Sequence, residues 1–130
     1  RLATDTVPVA ALPLCDLRLM NDSRWPWLIL VPRIADMAEL HDLSKADQTR
    51  LLDETILAGR VLKTATGCEK INTGALGNIV RQLHVHVVAR NPGDPAWPGP
   101  VWGQGPRVPY ATSDIEALSE AIRSQIGAQR

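Results

Sequence analysis

Gln82-Leu83-His84-Val85-His86-Val87-Val88-Ala89-Arg90 is the stretch of sequence that most strongly indicates a β-strand with a functional face. Successive side chains of a strand point to opposite faces. The polar face is predicted to carry Gln82, His84 and His86. The apolar face is predicted to carry Leu83, Val85 and Val87 towards the core. We therefore expect a strand over residues 80–90 that presents three polar side chains able to hold a phosphate, whereas the third histidine, His41, has no such context.

Length and charge predict one domain without a general affinity for nucleic acid or membranes. The chain of 130 residues has a mass of 14.2 kDa, which suits a single domain over residues 1–130. Lys plus Arg and Asp plus Glu number 14 each, so the formal net charge is zero. Residues 36–58 contain six acids and two bases, whereas residues 59–110 contain six bases and two acids. The second segment suits an anionic ligand, although ordinary surface variation explains this distribution equally well.

The cysteines and the hydropathy favour a reduced, cytoplasmic setting. Cys15 and Cys68 lie far apart and form neither a C-x-x-C pair nor a disulfide framework. No apolar run approaches the roughly 20 residues that a membrane-spanning helix needs, and we expect no signal segment.

Two strands, a long helix and a short strand are predicted before the histidine stretch. Residues 14–20 alternate between apolar and polar side chains, and residues 27–31 form an apolar run between two prolines. A helix is predicted over residues 44–66 and a short strand over residues 68–72. This order predicts an α+β fold, in which helices cover an antiparallel sheet.

The long helix has recognisable ends and one apolar stripe. Ser44 and Asp47 resemble a capping box at its start, and Gly67 is a natural stop. The predicted stripe comprises Leu51, Thr55, Ala58, Leu62 and Ala65, widened by Leu52 and Ile56. Gly59 within the helix predicts the close approach of another element.

Residues 91–111 form a proline-rich segment that contains Trp97 and Trp102. Loops of this length are uncommon in small domains and are usually functional or specially packed, and the proline content predicts a stiff path. The tryptophans are predicted to pack as core anchors, the alternative being that they close over a ligand. Ser113 and Glu116 then resemble a second capping box, followed by an amphipathic C-terminal helix.

The polar face of the histidine stretch allows three interpretations. Two histidines at i and i+2 on one strand can bind zinc, but the sequence shows no third ligand nearby. In the second interpretation both histidines are structural, with their ring nitrogens satisfied by hydrogen bonds. In the third they form a phosphate-handling site with a histidine nucleophile.

The third interpretation agrees with a resemblance to the histidine-triad (HIT) superfamily of nucleotide hydrolases and transferases. The family motif is His-φ-His-φ-His-φ-φ, where φ is apolar, and residues 82–88 read QLHVHVV. Residues 72–78, NTGALGN, are similar to the family's amide residue and the glycine-bearing loop that follows it. Residues 19–22 and the strand that ends at residues 31–33 are similar to the family's first nucleotide-contacting turn and strand. The resemblance covers about residues 14–90, and it implies a HIT-like α+β fold with about five strands, one long helix and a C-terminal helix.

The resemblance implies a role for each matching residue. His84 matches the nucleophile that attacks the α-phosphorus and forms a nucleotidyl-histidine intermediate, and His86 matches the histidine that holds the phosphate oxygens. Gln82 stands where the family has its first histidine. The family's substrate-binding positions match Asn72 for the phosphate and leaving group, Gly77 and Asn78 for the phosphate loop, and Asn21 or Asp22 for the ribose. Covalent histidine catalysis of this kind requires neither a metal nor a cofactor, and we expect none.

Two departures from the family pattern motivate an alternative function. Gln82 cannot titrate near neutral pH, so any proton-handling role of the first histidine is lost, although its amide can still donate a hydrogen bond. Ile79 falls where the family often has Ser or Thr beside the leaving group. The alternative is a nucleotide-binding module with weak or no catalysis. The resemblance also implies a homodimer that uses the long helix and a sheet edge, with a small-molecule nucleotide as ligand.

Overall fold

The fold is that of a computed structural model, which describes residues 2–129. The helices are α1 (Leu2–Asp5), α2 (Lys45–Thr66) and α3 (Thr112–Gln129), with a short 3₁₀ helix at Leu40–Asp42. The strands are β1 (Thr6–Ala11), β2 (Cys15–Met20), β3 (Trp27–Pro32), β4 (Lys70–Gly74) and β5 (Val85–Arg90). They form one antiparallel sheet in the order β1-β2-β3-β5-β4. The predicted α+β fold with five strands, a long helix and a C-terminal helix is therefore confirmed.

Strand β5 lies inside the sheet, between β3 and β4. All six of its residues are buried, as expected for an apolar strand with a neighbour on each side. In this register His86 lies between Ile29 of β3 and Gly74 of β4. The backbone that carries His86 is thus held by hydrogen bonds from both sides.

Helix α2 has the predicted ends. The Ser44 hydroxyl accepts a hydrogen bond from the Asp47 N–H at 3.2 Å, and Gly67 terminates the helix in the left-handed region with φ of 69°. Its buried face comprises Leu51, Glu54, Ala58, Val61 and Leu62. Leu52 and Ile56 are 59% and 49% exposed, so the prediction that they widen the buried stripe is wrong.

Helices α2 and α3 cover one face of the sheet. The largest side chains of this core that are almost fully buried include Leu17, Leu28, Leu30, Leu62, Val87 and Ile122. Each such side chain contributes about 2 kcal/mol relative to an exposed position. A Cβ at Gly59 would lie 3.7 Å from Cγ2 of Ile71, so the sheet does approach α2 there, at ordinary contact distance. Within residues 2–129, none of the helices is both long and apolar enough to cross a membrane.

Three strands differ from the prediction. Strand β4 runs from Lys70 to Gly74, so both ends of the strand predicted over residues 68–72 are wrong by two residues. Strand β1 is not predicted from the sequence, since it contains Pro8, and it occupies the sheet edge, where proline is tolerated. Strand β5 begins at Val85, so the predicted start at residue 80 is wrong. The Leu83 N–H donates to the Met37 carbonyl at 2.8 Å instead of joining a ladder.

The start of α3 also differs from the prediction. The N–H groups of Asp114 and Ile115 donate to the Ala111 carbonyl, and the helix therefore begins at Thr112. Ser113 consequently lies within the first turn and is not the predicted N-cap.

The other face of the sheet is covered mainly by irregular chain, and Leu2 of the short helix α1 also packs there. Its buried cluster comprises Trp25, Trp27, Ile29, Val88 and Val101, with Met20 and Trp102 packed against it. His86 lies on this face, beside Trp27 and Trp102.

Candidate active site

His84 and His86 lie side by side at the start of β5. Their ring centroids are 4.9 Å apart and the rings are inclined at 69°. The two residues are only 7% and 6% exposed, and both line a cavity of about 800 Å³. The structure therefore brings the two predicted histidines to one cavity of a size typical for small-ligand sites.

The ring of His84 is oriented by the backbone of Gln82. Nδ1 of His84 lies 2.6 Å from the Gln82 carbonyl oxygen. Because a carbonyl can only accept, Nδ1 donates the proton, and Nε2 of the neutral ring keeps its lone pair.

The ring of His86 is held by a tryptophan of β3. The indole Nε1–H of Trp27 donates to Nδ1 of His86 at 3.0 Å. Trp102 packs edge-on against the same ring, with centroids 5.4 Å apart. Burial, followed by the charge of neighbouring His84, lowers the pKa of His86 from 6.5 to about 4. His86 is therefore uncharged at neutral pH.

Gln82 precedes β5, so no strand register places its side chain in the predicted row with the histidines. Since β5 begins at Val85, strand alternation does not extend back to Gln82. Its backbone carbonyl orients His84, but its side chain is not among the groups that line the cavity. Its role as the first triad position stays a prediction.

The glycine-bearing loop lies beside His84, as its sequence suggests. Gly77 and Asn78 both line the cavity, and Gly77 has a positive φ of 74° that favours glycine. Ile79 also lines the cavity and is 73% exposed. The loop thus brings backbone near the histidines without a hydroxyl at position 79.

The structure separates the two candidates for ribose binding. Asp22 lines the cavity and is 1% exposed, whereas the Asn21 amide oxygen accepts from the Tyr110 N–H at 2.8 Å and faces a different depression. Burial raises the pKa of Asp22, but hydrogen bonds from Arg24 and Val108 outweigh this and lower it overall. Asp22 is therefore an ionised acceptor at the cavity wall.

Asn72 lies on the edge strand β4 and does not line the cavity. Its side-chain oxygen accepts from Arg90 Nη1 at 2.8 Å. Asn72 is thus engaged by the protein itself, and the predicted contact with substrate stays a prediction.

Residues 101–107 form a wall of the cavity, and of these only Trp102 has a role predicted from the sequence. The indole of Trp102 lies over Gly74, where a Cβ would approach to 3.1 Å, and it also contacts His86. Arg24 donates to the Gln104 carbonyl at 2.7 Å and so ties this wall to the turn after β2. Trp102 packs against the cluster as predicted and also lines the cavity, whereas its closing over a ligand stays a prediction. Trp97, in contrast, is 37% exposed and is not a core anchor.

The zinc interpretation finds no third ligand. Within residues 2–129, no group of three or more His, Cys, Asp or Glu side chains is placed to hold a metal ion.

The fold and the paired imidazoles define an α+β protein with a histidine-based pocket for a small ligand. Residues 2–93 match the HIT domain, and the chain belongs to this family. No curated protein matches the chain.

Solved structures of HIT proteins are similar to this chain in both sequence and fold. A HIT protein from Sinorhizobium meliloti 1021 is 55% identical and superposes with a TM-score of 0.94, over 96% of this chain and 93% of that one. A histidine triad protein from Marinobacter aquaeolei VT8 is 43% identical, with a TM-score of 0.95 over 98% and 93% of the two chains. One from Bradyrhizobium japonicum is 42% identical, with a TM-score of 0.94 over 97% and 94%.

Proposed function

We propose that the chain is a nucleotide hydrolase or nucleotidyl transferase that acts at the α-phosphate of a nucleoside phosphoramidate or a (di)nucleoside polyphosphate. The observation that carries the proposal is the 2.6 Å hydrogen bond between His84 Nδ1 and the Gln82 carbonyl. It leaves the Nε2 lone pair of a neutral imidazole available as a nucleophile beside a cavity of about 800 Å³.

In the first step, the His84 Nε2 lone pair forms a bond to the α-phosphorus, and the bond from phosphorus to the leaving nitrogen or oxygen breaks. The nucleotidyl-histidine ring is positively charged because Nδ1 keeps its proton. The Gln82 carbonyl stabilises this charge through its existing hydrogen bond. The leaving group takes its proton from water, since the Gln82 amide supplies none.

In the second step, water or another hydroxyl attacks the phosphorus and loses its proton to solvent. The phosphorus–nitrogen bond breaks, and its electron pair returns to Nε2, which restores neutral His84. When water attacks, the product is a nucleoside monophosphate; when another hydroxyl attacks, the nucleotidyl group is transferred.

The other cavity residues have binding roles in this proposal. His86 and the backbone N–H groups near Gly77 and Asn78 hold the phosphate oxygens. Asp22, whose Oδ1 and Oδ2 already accept hydrogen bonds from Arg24, accepts from the ribose through a remaining lone pair. Gln82 occupies the first triad position and acts through its carbonyl. The role of Asn72 rests on the resemblance alone.

The alternative, a nucleotide-binding module with weak or no catalysis, is favoured by one observation. Neither Gln82 nor the exposed Ile79 offers a proton or a hydroxyl to the leaving group. A substrate with a good leaving group needs no such help, whereas a substrate with a poor leaving group would remain bound and uncleaved.

A burst experiment tests the proposal and separates it from the alternative. Protein is mixed with an adenosine phosphoramidate, quenched within one turnover, and examined by intact-mass spectrometry for the adenylylated chain. We expect the adduct in the unmodified protein and in His41→Ala, whose side chain is 84% exposed and outside the large cavity. His84→Ala should form no adduct and still bind AMP. If the unmodified protein, His41→Ala and His84→Ala all bind AMP and none of them forms the adduct, the result would support the binding module instead.

We also propose that the protein is a cytoplasmic homodimer. Leu52 of α2 is exposed and lies close to the end of β4, the edge strand of the sheet, and Ile56 is exposed one turn further along α2. Between this helix and the end of β4 lies an apolar groove of about 490 Å³. A second copy placed here would cover both the groove and the strand edge.

A further inference from the structure

Trp27 holds the ring of His86 through a bond with only one possible direction. An indole N–H is a donor and never an acceptor. The 3.0 Å contact between Trp27 Nε1 and His86 Nδ1 therefore requires a lone pair on Nδ1. The proton of neutral His86 must then be on Nε2.

The two histidines of the cavity consequently have opposite tautomers. His84 donates from Nδ1 to a carbonyl and keeps a lone pair on Nε2, as a nucleophile requires. His86 accepts at Nδ1 and carries a proton on Nε2, as a donor to a phosphate oxygen requires. A backbone carbonyl sets the first tautomer and a side chain of β3 sets the second.

Protonation of His86 would break this arrangement. A proton on Nδ1 would face the indole N–H, so two donors would oppose each other in a buried site. The neighbours of His86 on β3, β4 and the 101–107 wall are Trp27, Ile29, Gly74 and Trp102, none of which titrates. The charged side chains that line the cavity together with His86 form ion pairs with one another. Asp22 pairs with Arg24, and Asp5 pairs with Arg107. From the segment just before β5, the ring of His84 also faces His86.

From this geometry we infer that Trp27 is a positioning residue, whose indole N–H keeps His86 as a neutral imidazole that presents Nε2–H to the substrate phosphate. The contact between His86 and the substrate phosphate rests on the proposed function, which this inference deepens. The tautomer of His86 follows from its contact with Trp27 alone and does not depend on a substrate.

The unmodified protein supplies the first test. In ¹⁵N-labelled protein without ligand at pH 7, the His86 ring should show an unprotonated Nδ1, a protonated Nε2, and a scalar coupling across the hydrogen bond from Trp27 Nε1. A protonated Nδ1 or the absence of this coupling would overturn the inference.

A pair of matched variants supplies the second test. Trp27→Phe removes the indole N–H. Trp102→Phe is the control, because Trp102 packs against the same His86 ring but makes no hydrogen bond to it. We expect the NMR titration of His86 to give a pKa about one unit higher in Trp27→Phe than in the unmodified protein. Trp102→Phe should leave it within a few tenths of a unit. Equal shifts in both variants, or none in Trp27→Phe, would mean that burial alone controls the ring.

Binding of AMP separates this inference from the proposed function. With a fixed donor lost, Trp27→Phe should bind AMP about fivefold more weakly at pH 7. If the ring measurements agree with the inference but no variant or unmodified protein binds AMP, the proposed function fails and the positioning role of Trp27 remains. Normal AMP affinity in Trp27→Phe would refute the phosphate contact.

Discussion

The guanidinium of Arg90 binds both carboxylate oxygens of Asp94, with Nε at 2.8 Å and Nη2 at 3.0 Å. Arg90 is the last residue of β5 and is 1% exposed. It also donates to the side chain of Asn72 and to the carbonyl of Gly99. One buried side chain therefore joins two strands of the sheet to the segment that leads to the cavity wall.

Replacement of Asp94 should destabilise the fold strongly. In Asp94→Asn the buried guanidinium loses its charged partner, which should lower the free energy of unfolding by about 3 kcal/mol. Urea unfolding measures this change. Glu120→Gln is the control, since Glu120 and Arg123 form an exposed ion pair whose loss should cost less than about 1 kcal/mol. Equal effects of the two substitutions would contradict this interpretation of Arg90.

The lowered pKa of His86 predicts how stability depends on pH. The folded-state pKa is about 4 and the ordinary value is 6.5, so the unfolded chain binds the proton first as the pH falls. The contribution of neutral His86 to the free energy of unfolding is fully present above pH 6.5. It should decrease by about 3 kcal/mol as the pH falls to 4. His86→Gln should remove this dependence in urea titrations at several pH values. Asp22 and Asp94, whose pKa values are lowered from 3.8, act below this window. An unchanged slope in His86→Gln would show that the pKa of His86 does not differ between the folded and the unfolded protein.

Glu54 should be a main attachment of α2 to the sheet. Its two carboxylate oxygens accept from the N–H groups of Leu14 and Cys15, each at 2.8 Å. Glu54→Gln leaves one buried N–H without an acceptor, which should cost about 2 kcal/mol in thermal or urea unfolding. Asp53→Asn, the exposed neighbour on the same helix, should change stability by less than about 0.5 kcal/mol. A loss in Asp53→Asn as large as in Glu54→Gln would assign the effect to the charge of the helix instead.

The proposed dimer makes a prediction for α2. A charge at Leu52, which is 59% exposed, would be buried in the interface, so Leu52→Glu should convert a dimer into a monomer in light scattering. Val108→Glu places the same charge at an apolar position that is 49% exposed in the 91–111 segment, and should leave the dimer intact. A monomeric unmodified protein would refute the dimer, and dissociation by both variants would refute its placement on α2.

Local signals in the sequence were sufficient for most of the fold. The ends of α2 follow from Ser44 and Gly67, whose preferences act within a few residues. The pairing of His84 with His86 likewise needs only a spacing of two residues. Strand β1 could not be found in this way, because a short edge strand that contains Pro8 is stabilised mainly by its neighbour.

The remaining details of the site depend on contacts between distant parts of the chain. Trp27 and His86 are 59 positions apart, and nothing in either local sequence indicates their hydrogen bond. The choice between Asn21 and Asp22 depends on Tyr110 and Arg24, which hold the two side chains on different sides of one turn. The late start of β5 at Val85 also depends on a distant residue, because the Leu83 N–H donates to the carbonyl of Met37 instead of joining a ladder.

The cavity wall at residues 101–107 belongs to none of the strands described for residues 2–129, whereas His86 is part of β5, which has a neighbouring strand on each side. Substitutions in this wall can reshape the space around a base or leaving group while the imidazoles keep their positions. Under the proposed function, reactivity and ligand preference would therefore be encoded in separate stretches of the polypeptide, and proteins of this fold could differ in the ligand they accept without a change in the histidines.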